Sequence, residues 1–128
     1  KLEEKIARTN QHLSSVYFDK GEYNLAKKHN NLFLTYGEKT KDSIKIGDGL
    51  ISKGIIFKEQ GQPDSALTNL LEANHIFTEL KDTYGLVFVN SELGRMFSSK
   101  NTKNSNLEAI KYYEKSLSLA EDILKKNP

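Results

Sequence analysis

The residues able to do chemistry are few and scattered. The histidines are His12, His29 and His75, and none pairs with another at a ligating interval such as i, i+4. A structural or catalytic metal needs three or four converging donors. The chain has no cysteine, so thiolate sites and disulfides are excluded. Serines are plentiful, but none has a base and an orienting carboxylate placed beside it, as nucleophilic catalysis requires. Gly47, Gly49 and Gly54 form a glycine-rich stretch. A phosphate-cradling loop, however, joins a strand to a helix N-terminus, and helical periodicity runs straight through these positions. No metal and no cofactor is expected, and the chain reads as a non-enzyme.

The elements that would position a site follow from composition and period. The chain has 128 residues, 37% hydrophobic and 28% charged. That length suits one domain on the usual ~100–200 residues. No run approaches the ~20 apolar residues a membrane helix needs, so no membrane contact is expected in this segment. The formal net charge is +2, with lysines scattered among acids. A nucleic-acid surface would cluster its basic residues, so none is expected here. Lacking cysteine does not separate compartments, which leaves cytoplasm and periplasm both open. The chain starts at Lys1 without an apolar leader, and helical sequence runs to Lys126. A piece of a longer protein, or a processed one, is expected.

The sequence repeats every 40 residues. Ser14, Gly54 and Gly94 stand in series, as do Tyr17, Phe57 and Phe97. Ala26 is followed by Ala66, Gly21 by Gly61 and Asp42 by Asp82 at the same offset. A period of about 20–50 residues marks a stacked array of small units. Apolar residues recur at three- and four-residue spacing, which predicts helices. Six are expected, in three pairs: units of about residues 4–40, 43–80 and 83–126. Gly21 and Gly61 end the first helix of units one and two, since glycine accepts the left-handed conformation. Pro63 suits a first helical position. Asn101–Ser105 reads as a loop, followed by a capping box of Ser105 and Glu108. Ala109 lies 43 residues beyond Ala66, so that loop carries three extra residues, and deleting Thr102–Asn104 is expected to be nearly neutral.

Within each unit the small residue stands three before the aromatic, on one helix face, and the alanine (Ala26, Ala66, Ala109) lies on the second helix. Glycine in a helix costs ~1 kcal/mol against alanine, so close helix packing is the expected reason for Gly54 and Gly94. These residues resemble the tetratricopeptide repeat: Gly54, Phe57, Gly61 and Ala66 in unit two, Ser14, Tyr17, Gly21 and Ala26 in unit one, Gly94, Phe97 and Ala109 in unit three. The 40-residue length, with acids between units, is similar to the repeats of kinesin light chains and bacterial signalling proteins. The resemblance implies an all-α chain, a single domain over 1–128, with three antiparallel helix pairs stacked as a right-handed superhelix (an α-solenoid).

The resemblance also implies a non-catalytic module that binds a protein or peptide partner, a peptide or a helix, in a concave groove. The first helix of each pair would line it: Arg8, Gln11, Ser15 and Phe18; then Asp48, Ile51, Ile55, Lys58 and Glu59; then Phe88, Ser91, Arg95 and Ser98. Ile51, Ile55 and Phe88 are equally well read as core. Gln11 and Ser15 stand where related carboxylate-clamping repeats carry lysine and asparagine, so a carboxylate anchor is not expected. A sensory or regulatory part of a bacterial signalling protein fits the resemblance, and a small-molecule-sensing receptor domain is the alternative. The last helix is expected to turn Leu107, Ile110, Tyr113, Leu117, Ala120 and Leu124 inward, with Tyr112, Leu119 and Ile123 on its far side. That leaves an apolar face open to self-association through the C-terminal helix.

Overall fold

The computed structural model describes residues 1–127. It comprises α1 (Leu2–Asp19), α2 (Tyr23–Thr40), α3 (Ser43–Glu59), α4 (Pro63–Leu80), α5 (Thr83–Ser98) and α6 (Lys103–Lys126). No strand occurs among the described residues. Packing is closest within the pairs α1/α2, α3/α4 and α5/α6, then between α2 and α3 and between α4 and α5, and α3 also touches α5. Three helix pairs thus stack in chain order, the all-α solenoid that the 40-residue period predicts.

The four turns before α5 close the same way for a local reason. Gly21 and Gly61 take φ of 79° and 74°. The next backbone N–H then reaches back: Glu22 donates to the Tyr17 carbonyl and Gln62 to that of Phe57, both at 2.9 Å. Between pairs the same closure is made without glycine. Lys41 and Lys81 adopt φ of 55° and 54°, and Asp42 and Asp82 donate to the carbonyls of Gly37 and Phe77. The two aspartates then cap the next helix, accepting from the backbone of Lys45 and Gly85. That explains the acid recurring between units.

The N-terminus of α6 departs from the sequence reading. The cap is Thr102, which accepts from Ser105 N at 3.2 Å while Ser105 Oγ accepts from Thr102 N at 3.0 Å. Ser105 is therefore the third residue of the helix, not its cap, and Glu108 plays no part in the box. Ala26 and Ala66 are fourth in their helices and Ala109 seventh. The three extra residues are a first helical turn rather than slack in a loop, so the segment 102–104 is structural.

Close approach explains the repeated small residues. Ser14 is buried and its Oγ donates to the Ala26 carbonyl at 2.8 Å. A Cβ at Gly54 would stand 2.8 Å from Leu70 Cγ and 3.2 Å from the Ala66 carbonyl. One at Gly94 would stand 2.8 Å from the Tyr113 ring. The aromatics sit further out on the same helix: Tyr17 stacks on His29 and Phe97 on Tyr112, with centroids 5.5 and 5.6 Å apart. Phe57 instead lies under the Lys27 ammonium, 5.0 Å from its centroid. At the centre Phe77 is 1% exposed, wedged against the backbones of Gly47 and Gly85.

The last helix is rotated about its axis from the sequence reading: Tyr113, against Gly94, and the partly buried Ala120 turn inward as expected, but the leucines and Ile110 do not. Its buried side is Ser105, Ala109 and Ser116, with Tyr112 packed against the core, and Ser116 Oγ donates to the Val87 carbonyl on α5. Leu107, Ile110, Leu117 and Leu124 are all more than half exposed, and Tyr113 is 39% exposed. Small residues at 105, 109 and 116 admit the close contact with α5; the bulkier apolar side chains are left outside.

Candidate groove and its residues

Helices α1, α3 and α5 present their common side as a groove with two hollows. The larger is about 420 Å³, lined by Gln11 from α1, Asp48, Ile51, Ser52 and Ile55 from α3, and Tyr84, Gly85 and Phe88 from α5, with the cap residue Asp82. The smaller is about 150 Å³ and lies between α1 and α3, lined by Ser14, Ser15, Phe18, Asp19, Ser52, Ile55 and Ile56. Ser52 and Ile55 belong to both, so the hollows adjoin. Gly85 lines the larger hollow and lets Phe77 close beneath it.

The apolar groups grade from fixed to available. Ile51 is 5% exposed and belongs to the core cluster, so it is the floor. Ile55 is partly buried and packs on the same cluster. Phe88 is 56% exposed and Tyr84 70%. They are four residues apart on α5 and so lie on one side of it, forming an aromatic edge to the larger hollow.

Asp48 is the polar centre. Burial pushes its pKa up from the usual carboxylate value; Arg8 opposes this, while Asp82 and Asp42 add to it. Arg8 does not close an ion pair with Asp48. Its guanidinium bonds to Gln11 at 3.1 Å, pairs with Glu4 at 3.8 Å and lies 6.0 Å from the Phe33 ring centroid. The nearby cation Lys45, 8% exposed at its side chain, is held by Asp42 at 2.9 Å and Glu4 at 3.2 Å. A carboxylate is thus partly withdrawn from water with its two neighbouring cations engaged elsewhere.

The groove residues expected from sequence fall into two sets. Gln11, Ser15, Phe18, Asp48, Ile51, Ile55 and Phe88 line the hollows, and Arg8 lines neither but bonds to Gln11. Lys58, Glu59, Ser91 and Arg95 line neither; Arg95 pairs loosely with Glu92, and Ser98 bonds back to the Arg95 carbonyl. Sequence reasoning missed Ser52, Asp82 and Tyr84. No local signal marks Tyr84, because Gly85, Leu86, Val87 and Val89 make the stretch around it and Phe88 look like core. Asp82, expected as an acid between units that could start α5, caps that helix and also lines the groove.

No three histidine, aspartate or glutamate side chains among the described residues converge to hold a metal ion, and no helix there is long and apolar enough to cross a membrane. His29 bonds Asn10 through Nδ1 at 2.8 Å while stacking on Tyr17, and His12 and His75 are exposed.

A sequence-family model described as tetratricopeptide repeat matches residues 99–123, the turn after α5 and most of α6. Repeats of this family generally mediate protein–protein interaction and are typically non-catalytic. No curated protein matches the chain.

Proposed function

We propose that the chain is a single non-catalytic interaction domain whose groove on α1, α3 and α5 binds a peptide or partner helix. The partner chemistry that fits is an apolar side chain seated on Ile51 and Ile55 against Phe88, beside a lysine or arginine that meets Asp48. The observation that carries this is the half-buried Asp48, without an ion-pair partner among the described residues, next to an exposed aromatic edge. A cation brought to that carboxylate would restore what burial removed, and the interaction gains from being partly desolvated. The aromatic edge supplies the kind of anchor that dominates binding energy in such contacts.

The setting we infer, from the resemblance to the longer tetratricopeptide-like repeats alone, is a sensory or regulatory part of a bacterial signalling protein. A second reading rests on the hollow itself: about 420 Å³ lies within the ~300–1,000 Å³ of small-molecule sites, which suits a metabolite-sensing domain.

The deciding measurement is fluorescence anisotropy with a library of labelled peptides that carry a basic residue next to a large apolar one, with charge-reversed peptides as controls. Asp48→Asn and Phe88→Asp should each weaken binding of the basic peptides by about tenfold or more, a loss of at least ~1.4 kcal/mol. Ile51→Asp is unsuitable, because a buried floor residue would report folding. Equal binding of the charge-reversed peptides would refute the Asp48 reading. A thermal shift with a small metabolite and no peptide binding would favour the second one.

A further inference from the structure

Two kinds of group wall the larger hollow. Two are carboxylates, Asp48 on α3 and the cap residue Asp82; two are rings, Tyr84 and Phe88 on α5. No lysine, arginine or histidine lines it. Neither aspartate has an ion-pair partner among the described residues. Asp82 uses one oxygen for its cap, Oδ1 accepting from Gly85 N at 3.1 Å, which leaves Oδ2 for a ligand. Asp82 is also near enough to add to the raised pKa of Asp48, so the two negative charges act on one space.

Carboxylates alone would draw an ammonium as readily as a guanidinium. The rings narrow the choice. A guanidinium is planar and weakly hydrated, with N–H donors along its edge and a face that stacks on aromatic rings. It can therefore satisfy a carboxylate and cover a ring at once. An ammonium is a compact, strongly hydrated point charge and has no flat face to lay on a ring. The chain's own cations divide in the same way. Lys45 meets two carboxylates, and Lys27 and Lys100 each meet a ring. Arg8 combines both, pairing with Glu4 at 3.8 Å and lying 6.0 Å from the Phe33 ring centroid.

We propose that the larger hollow is a seat for an arginine of the partner segment, selected over lysine. The guanidinium edge meets Asp48 and Asp82, and its face lies on Tyr84, leaving Phe88 to the neighbouring apolar side chain. This rests on the peptide-binding reading and names the residue type that decides its specificity. It also gives Asp82 and Tyr84 roles beyond capping and surface: the first supplies a second acceptor, the second the discrimination between the two cations.

An NMR titration of the whole chain, followed at the Gly85 amide, tests this with three small probes: N-acetyl-arginine methylamide, its lysine counterpart and its citrulline counterpart, which keeps the shape of arginine without the charge. The arginine probe should bind at least about threefold more tightly than the lysine probe, the worth of an exposed cation–π contact, and the citrulline probe should not bind. Tyr84→Leu should erase the preference while both cations still bind. Asp82→Asn keeps the cap, since asparagine caps as well as aspartate, and should weaken both cations. Lysine binding as well as arginine, or a preference that survives Tyr84→Leu, would overturn the arginine seat and leave the basic-peptide reading standing. Probes that shift nothing at Gly85, while basic peptides still bind through Asp48, would overturn the seat as well. If neither probes nor peptides bind, the seat and the reading fall together.

Discussion

Replacing Gly85 with alanine should lower stability, although alanine is the better helix former. On propensity alone the change would gain ~1 kcal/mol in a helix interior. The structure opposes it. The new Cβ would stand 2.6 Å from Phe77 Cγ, where carbon atoms ordinarily rest ~3.5–4.0 Å apart. Phe77 would have to retreat by about 1 Å, and cores packed as densely as crystals have no such space. The tip of the same ring already meets Gly47, where a Cβ would stand 2.5 Å away. Overpacking costs ~1–3 kcal/mol, and a contact this short belongs at the upper end. The net loss is then ~1–2 kcal/mol, a fall in Tm of roughly 3–10 °C for a chain of this size.

Urea denaturation of four proteins separates the two effects: parent, Gly85→Ala, Phe77→Ala and the double variant. Phe77→Ala alone should cost ~3–5 kcal/mol through the cavity it leaves. In that background the ring is gone, so Gly85→Ala should become stabilising by about the propensity gain. The coupling between the sites should therefore be ~1–3 kcal/mol, as for residues in direct contact. A Gly85→Ala protein with unchanged or raised Tm, or a coupling near zero, would refute the wedge and with it the helix spacing at the centre of the array.

Three further outcomes follow from single side chains. Asp48→Asn should melt above the parent near neutral pH: burial raises the folded pKa above the unfolded one, so the charged carboxylate penalises the fold there and the penalty fades as pH falls through the raised value. The gap between the two should close in acid, and a gap that widens instead would show that Arg8 dominates over burial. Thr102→Ala should cost ~1 kcal/mol by removing the cap of α6, read as a lower urea midpoint, whereas a passive loop would give no change. Asn90→Leu should stabilise by ~1 kcal/mol, because the Asn90 Oδ1 is buried without a partner and such a group costs ~1–3 kcal/mol; the equivalent residue in unit two is already Leu50, and a lower Tm would mean that the Asn90 bond to the Leu86 carbonyl outweighs the orphaned oxygen.

How much was legible depended on whether a residue's role was local. Gly21 and Gly61 announce their turns because a left-handed φ favours glycine. Lys41 and Lys81 adopt nearly the same φ and announce nothing, since a lysine held there by the packing on either side looks like any other surface lysine. Thr102 was hidden by Ser105, an equally good capping residue whose match to Glu108 was chemically sound; the reciprocal bond to Thr102 decides between them, and it exists only in three dimensions. On α6 the sequence offers two apolar stripes. Leucines at 107, 117 and 124 outweigh alanine and serine on any hydrophobic scale, so the wrong stripe looks like the core. What decides the choice is close contact: Ala109 and Ser116 are small enough to be buried against α5, where Ser116 Oγ reaches the Val87 carbonyl.

The same use of small residues at close helix contacts ties the groove to the fold. Gly85 is needed so that Phe77 can close beneath α5, and Tyr84 and Phe88 on that same helix edge the larger hollow. Asp48 lies one residue from both Gly47 and Gly49, the two glycines that let Phe77 and Leu34 press against α3. The packing that draws α3 inward also draws its carboxylate away from water, and that withdrawal raises its pKa. Loosening the wedge at Gly85 should therefore re-expose Asp48 and move its pKa back toward the ordinary carboxylate value. An NMR titration of the Asp48 carboxyl carbon in Gly85→Ala would show the shift, and an unaltered titration in a destabilised variant would mean that the groove and the core are independent.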